Sequence, residues 1–116
     1  MRFINIFAAL SGFTALAMLT IAAHALRLET ADMDRVHLAA FMQLAAAGAG
    51  LAITGRKGRL NLAAGAMILT GAAIFAVALY VLAIAHANAI LMLAPVGGIT
   101  LLLGWLLLAF TKPGAD

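Results

Sequence analysis

Charge is scarce in this chain. Of its 116 residues only 9% are Asp, Glu, Lys or Arg, while 66% are apolar. Soluble domains are about a quarter charged and about half apolar. A water-soluble fold of this length is therefore excluded, because it could not hide so much apolar surface. Cysteine is absent, which removes a disulfide framework, a thiolate nucleophile and any Cys-ligated metal. Strand-like alternation of apolar and polar residues is missing too, which argues against a membrane β-barrel. The formal charge of +3 resembles a nucleic-acid signal. It is not one, because the seven basic residues are scattered as short punctuation and make no patch.

What is present is a set of long uncharged runs. Arg2 stands at the start; Arg27, Glu29, Asp32, Asp34 and Arg35 cluster; Arg56, Lys57 and Arg59 follow; Lys112 and Asp116 close the chain. Between them lie uncharged runs of 24 residues (3–26), 20 residues (36–55) and 52 residues (60–111). A bilayer core of ~30 Å needs roughly 20 helical residues. The first two runs each hold one span. The third holds two, with a turn at its most polar stretch, HANA (86–89). Spans are predicted near 3–25, 36–55, 60–84 and 90–111, all within a single transmembrane domain covering 1–116. Helices satisfy their own backbone hydrogen bonds in lipid, so the fold class is an all-α, four-helix antiparallel transmembrane bundle.

Four spans put both termini on one side, with Arg2, Arg56, Lys57, Arg59 and Lys112. The other side carries Arg27 and Arg35, offset by Glu29, Asp32 and Asp34. The positive-inside rule then predicts cytoplasmic termini. Met1-Arg2, an apolar stretch and Ala23-His24-Ala25 also resemble a signal peptide. The stretch exceeds the usual h-region of about 7–15 residues, so it is read as a span.

Lipid gives helices no hydrophobic reason to associate, so small residues that allow close approach must supply much of the packing. Candidate faces are Ala8, Ser11, Gly12, Ala15 and Ala22 in the first span, and Ala45, Gly48, Ala52 and Gly55 in the second. Gly65, Ala72, Ala76 and Ala83 serve in the third, and Gly97 and Gly104 in the fourth. Tyr80 shares the small face of its helix, so its hydroxyl is expected to find a partner inside the bundle. GRKGR (55–59) is a tight turn.

All three histidines fall at the predicted outer surface. Imidazoles and carboxylates at one depth suit Zn²⁺, but no two histidines stand at i, i+4 on one helix. On a helical wheel His24 points ~160° from its small face whereas His86 lies near its own. They are read as interfacial or loop-bonded, with no metal and no cofactor. No ionisable residue sits in the middle of a span, which argues against a proton-coupled path. APVGG (94–98) is the most distinctive local feature. Pro95 removes a backbone donor, so the fourth span starts late or kinks there; the alternative is a broken helix lining a ligand site. No nucleophile–base set, paired carboxylates or phosphate loop appears, so no catalytic residue is assigned.

AAHAL (22–26), AFMQLA (40–45), LYVLAIAH (79–86) and APVGGITLLLGW (94–105) together resemble the YgdD-like family of small inner-membrane proteins, whose animal relative is transmembrane protein 256. The third and fourth segments match in register. The resemblance singles out His24, Tyr80, His86, Pro95, Gly97, Gly98, Gly104 and Trp105 as family-motif positions. There are departures. Met42 stands where the family's second helix carries a histidine, His37 lies five residues earlier, and Ala94 replaces a threonine before Pro95. The resemblance implies four membrane helices in a bacterial inner membrane and no established activity. The leading functional expectation is a structural or accessory protein that packs against membrane lipids or a larger membrane complex. The alternative is a small homo-oligomeric channel or transporter for an uncharged or lipidic solute.

Overall fold

A chain segment in lipid has no water to satisfy its N–H and C=O groups, so each long apolar run closes its own hydrogen bonds as a helix. The computed structural model describes residues 2–112. Asp116, expected to close the chain beside Lys112, lies outside the described residues. Four helices form: α1 (Arg2–His24), α2 (Thr30–Ile53), α3 (Arg59–Ala85) and α4 (Leu93–Leu108). No strand occurs among the described residues. A 3-10 turn, Asn88–Met92, precedes α4. All four are long and apolar enough to cross a membrane, the fourth when the 3-10 turn is counted with it. That turn is needed: α4 alone has 16 residues, about 24 Å at 1.5 Å per residue, short of a ~30 Å core. The chain is thus a multi-pass membrane protein built as a four-helix bundle.

The helix ends follow local chemistry. Pro95 is the third residue of α4, where the missing N–H would have no helical partner in any case. The helix therefore starts late at Leu93 and runs on without a break. Two further boundaries differ by three residues or more from the spans read off the charges. The second helix begins at Thr30 rather than near 36, so Asp32, Asp34 and Arg35 are helical and not loop residues. The fourth ends at Leu108 rather than near 111. Charge position marks where a segment enters lipid; it does not mark where the hydrogen-bond ladder stops.

The core is made by small residues. Ala8 and Ala15 of α1, Ala39, Ala46 and Gly50 of α2, and Ala64, Ala72 and Ala76 of α3 are buried. Ile4, Ile53, Ile68 and Leu69 fill the space between them. A Cβ placed on Gly50 would meet the Ala8 Cβ and a Leu69 methyl, each at 3.0 Å. The small faces expected for α1, α3 and α4 are the ones that pack. The one expected for α2 is not. Ala45, Gly48 and Ala52 face outward, and a Cβ on Gly48 or Gly55 would find nothing within 4 Å. The buried stripe runs instead through Asp32, Val36, Ala39, Gln43, Ala46, Gly50 and Ile53. It contains a carboxylate and an amide, so a search for small residues alone passes it over.

The bundle is open on one side. α1 packs on α2, α2 on α3, and α3 on α4, but no Cα of α4 comes within 8 Å of one in α1 or α2. Glycine brings α4 onto α3. A Cβ on Gly97 would stand 2.5 Å from the Phe75 N and 2.8 Å from the Gly71 O. One on Gly71 would stand 2.5 Å from the Leu101 N, and one on Gly104 2.8 Å from the Ile68 N. Backbone touches backbone along this seam, the arrangement that small residues permit between membrane helices.

Candidate functional site

The described polar side chains gather at three levels. At one end, Asp32 projects from the first turn of α2 with its side chain only 8% exposed. Its Oδ2 lies 2.8 Å from His86 Nε2, and its Oδ1 accepts from Arg35 Nη1 at 2.6 Å. Each carboxylate oxygen thus has its own partner. Arg35 is one turn on in the same helix, whereas His86 is 54 residues away at the end of α3. Asp32 therefore pins the residue that caps α3 to the first turn of α2.

His86 reaches that position by an unusual backbone. It caps α3 in the left-handed region, φ 54° and ψ 32°. It is the sole non-glycine residue there among those described. Asn, Asp and His tolerate this region better than most residues, yet single strained positions of this kind cost of order 1–3 kcal/mol. The cap N–H still bonds the Leu82 carbonyl at 3.1 Å. The imidazole remains 68% exposed, so one face of the pair is open to the surroundings.

At mid-depth Tyr80 donates its hydroxyl to Gln43 Oε1 at 2.7 Å, and both residues are buried. The expected partner for the tyrosine is therefore present, and it is the amide of α2. At the opposite end Asn61, 2% exposed, donates from Nδ2 to the Lys57 carbonyl at 2.9 Å and to the Lys112 carbonyl at 3.2 Å. No buried side-chain N or O among the described residues lacks a partner.

The family-motif residues do not converge on one site. His24 is exposed, and its Nδ1 sits 3.0 Å from the Thr20 carbonyl of its own helix; as a carbonyl only accepts, Nδ1 donates. His37 is exposed as well. Among the described residues no three His, Asp or Glu side chains come together where a metal could sit. Gly97 and Gly104 belong to the α3–α4 seam, and Trp105 is exposed. Pro95 and Gly98 line an open apolar groove of about 550 Å³ with Met42, Phe75, Leu91 and Ile99. The groove exists because α4 is held off α2. It places Met42 opposite the proline segment, at the position where the resembled family carries a histidine.

Two residues that matter to this arrangement, Asp32 and Gln43, were not singled out by the sequence. A signal for both was present. Val36, Ala39, Gln43, Ala46, Gly50 and Ile53 recur every three or four residues, and one further step back reaches Asp32.

No curated protein and no solved structure matched the chain. The family model described as "Protein of unknown function (DUF423)" matches residues 18–98, a stretch that includes Asp32, Gln43, Tyr80, His86 and Pro95. This agrees with the resemblance carried by the third and fourth helices, and the chain belongs to the DUF423 family of proteins of unknown function.

Proposed function

We propose that this is a small integral membrane protein without catalytic activity of its own, acting as a structural or accessory protein against a larger membrane complex or lipids. One observation carries the reading: the polar side chains in the interior tie helices together, while the outward surface is apolar with an open small-residue stripe. Ala45, Gly48 and Ala52 leave one face of α2 smooth. A second helix could approach there as closely as α4 approaches α3. The bundle is antiparallel, with both termini in the cytoplasm of a bacterial cell and the spans in its inner membrane. The pairings Ala8–Gly50, Ile53–Gly65 and Gly71–Leu101 support the antiparallel order. The basic residues of one end support the orientation. A reporter fused after Asp116 should read as cytoplasmic; an external signal overturns the orientation.

A second reading has one observation in its favour. The groove beside Phe75 and Pro95 would suit a lipidic solute, handled by a small homo-oligomer. Purification from native membranes in mild detergent, with mass and identity read on the intact particle, separates the two. Unlike chains at fixed stoichiometry support the accessory reading. A pure homo-oligomer favours the second reading; a pure monomer removes both the partner complex and the homo-oligomer and leaves packing against lipids.

A further inference from the structure

We propose that the end of the bundle formed by residues 56–61 and 110–112 binds the phosphate headgroup of an anionic phospholipid. The inference rests on the chain being a membrane protein; it does not depend on which partner, if any, the protein serves.

Lys57 and Lys112 are 55 residues apart in sequence, yet Asn61 holds both of their carbonyls through one amide nitrogen. Arg56 lies over the same amide, with its Nη1 3.4 Å from Asn61 Oδ1 and 3.4 Å from Thr111 Oγ1. The turn after α2 and the strand of chain after α4 are thereby fixed to each other. Between them is a cavity of about 200 Å³ lined by Lys57, Arg59, Leu60, Asn61, Phe110 and Lys112. A water molecule's share of liquid volume is about 30 Å³, so a phosphate group fits with room for bridging water.

The charge at this end is one-sided. The acidic residues among those described are Glu29, Asp32 and Asp34, and Asp32 is tied to His86 at the other end of α3. No salt bridge joins Arg56, Lys57, Arg59 or Lys112 to a described carboxylate. Three cations that line a fixed cavity, with Arg56 beside it, call for an anion from outside the described chain. Its chemistry is set by what surrounds them. Phe110 is 72% exposed, Leu60 55% and Leu62 45%. These apolar side chains stand beside the cations at a membrane end, so the site is wet and basic on one side and oily on the other. A free inorganic anion satisfies only the basic half. A phospholipid satisfies both, with its phosphate among Lys57, Arg59 and Lys112 and its chains along Leu60 and Phe110. Basic pockets beside membrane helices recognise anionic headgroups in this way.

The test uses the full chain in a neutral detergent, with phosphatidylglycerol or phosphatidylcholine of the same chains added in increasing amounts. Retained lipid is read by native mass spectrometry. The expected result is preferential retention of phosphatidylglycerol. Each cation neutralised at a membrane surface should weaken that preference roughly fivefold. The triple variant K57Q/R59Q/K112Q should therefore lose on the order of a hundredfold, with its thermal unfolding in detergent unchanged. R27Q, at the opposite end, should bind as the parent does. Asn61→Ala should weaken retention while leaving all the cations in place. Equal retention of the two lipids overturns the proposal. So does a preference that survives the triple variant or falls equally in R27Q. Inorganic phosphate that displaces the lipid at matched concentration would assign the site to a soluble anion and overturn the lipid assignment. None of these outcomes bears on co-purifying chains, so failure here and failure of the accessory reading are told apart.

Discussion

Substituting Gly97 by alanine adds one methyl group where the α3–α4 seam is as tight as anywhere along it, matched by Gly71. That carbon would lie 2.5 Å from the Phe75 N, 2.8 Å from the Gly71 O and 3.0 Å from the Phe75 Cα. All three are backbone atoms, so no side chain can swing aside. Ordinary contact begins at 3.4 Å, and the helices must part there by about 0.9 Å. A gap of about 0.5–1 Å forfeits a quarter to a half of each dispersion well, and the loss extends along Gly71, Leu101 and Gly104. Overpacking of this kind typically costs about 1–3 kcal/mol. The upper half of that range is expected for G97A, because α4 has no other helix to lean on. Alanine's helix preference returns less than about 1 kcal/mol. Three other glycines are internal controls. A Cβ on Gly98 would sit 3.8 Å from the Phe75 ring, and those on Gly48 and Gly55 would touch nothing within 4 Å. Gly98 and Gly48 lie inside helices, so G98A and G48A should be neutral or stabilising by up to about 1 kcal/mol. Equilibrium unfolding in mixed micelles, followed by circular dichroism, measures all of them. If G97A unfolds at the same denaturant concentration as the parent, or G48A falls as far as G97A, the backbone-contact account of the seam is wrong.

Other consequences follow from the polar ties. Removing either member of the Asp32–His86 pair should loosen the end of α3, and the double variant D32A/H86A should be no worse than the sum of the single changes. A coupling energy of about 0.5–3 kcal/mol in the mutant cycle is the expected range for groups in contact, and zero coupling would show that the pair contributes nothing. His86→Gly and His86→Ala both delete the imidazole, but only glycine accepts φ 54° freely. The glycine variant should be the more stable of the two by about 1 kcal/mol, read from the same unfolding curves; equal stability would mean the cap is unstrained. Tyr80→Phe leaves the Gln43 amide buried without its donor, and should cost about 0.6–1.7 kcal/mol, the range for hydrogen bonds between membrane helices. A second change, Gln43→Leu, should recover part of that loss. A Y80F variant as stable as the parent would show that Gln43 finds another partner.

Part of this architecture was legible because lipid permits few answers. The spacing of charges located the membrane segments, and the backbone's need for internal hydrogen bonds made them helices. Pro95 marked an interruption near the start of the fourth span, but whether the helix began late, kinked or broke there was decided only by the structure, which starts α4 at Leu93. His24 could be turned away from the core by its place on the wheel. The open bundle was not legible in the same way. Small residues on α2 lie on both faces, with Ala45, Gly48 and Ala52 outward and Ala39, Ala40, Ala46, Ala47 and Gly50 buried. Their presence on a face does not by itself tell which face meets a neighbour. Asp32 was hidden for a related reason: a carboxylate next to the membrane edge reads as solvated until a partner is known.

Sequence by itself determined four apolar helices, the unequal charge of their two ends and the residues small enough for close contact. Those properties are local, fixed by composition and by the period of a helix. Tertiary structure alone decided that α4 packs only along α3, that Asp32 receives His86, and that Asn61 joins Lys57 to Lys112. Each of these depends on the angle at which two helices meet. A difference of one face in that angle changes every contact while leaving every helix intact.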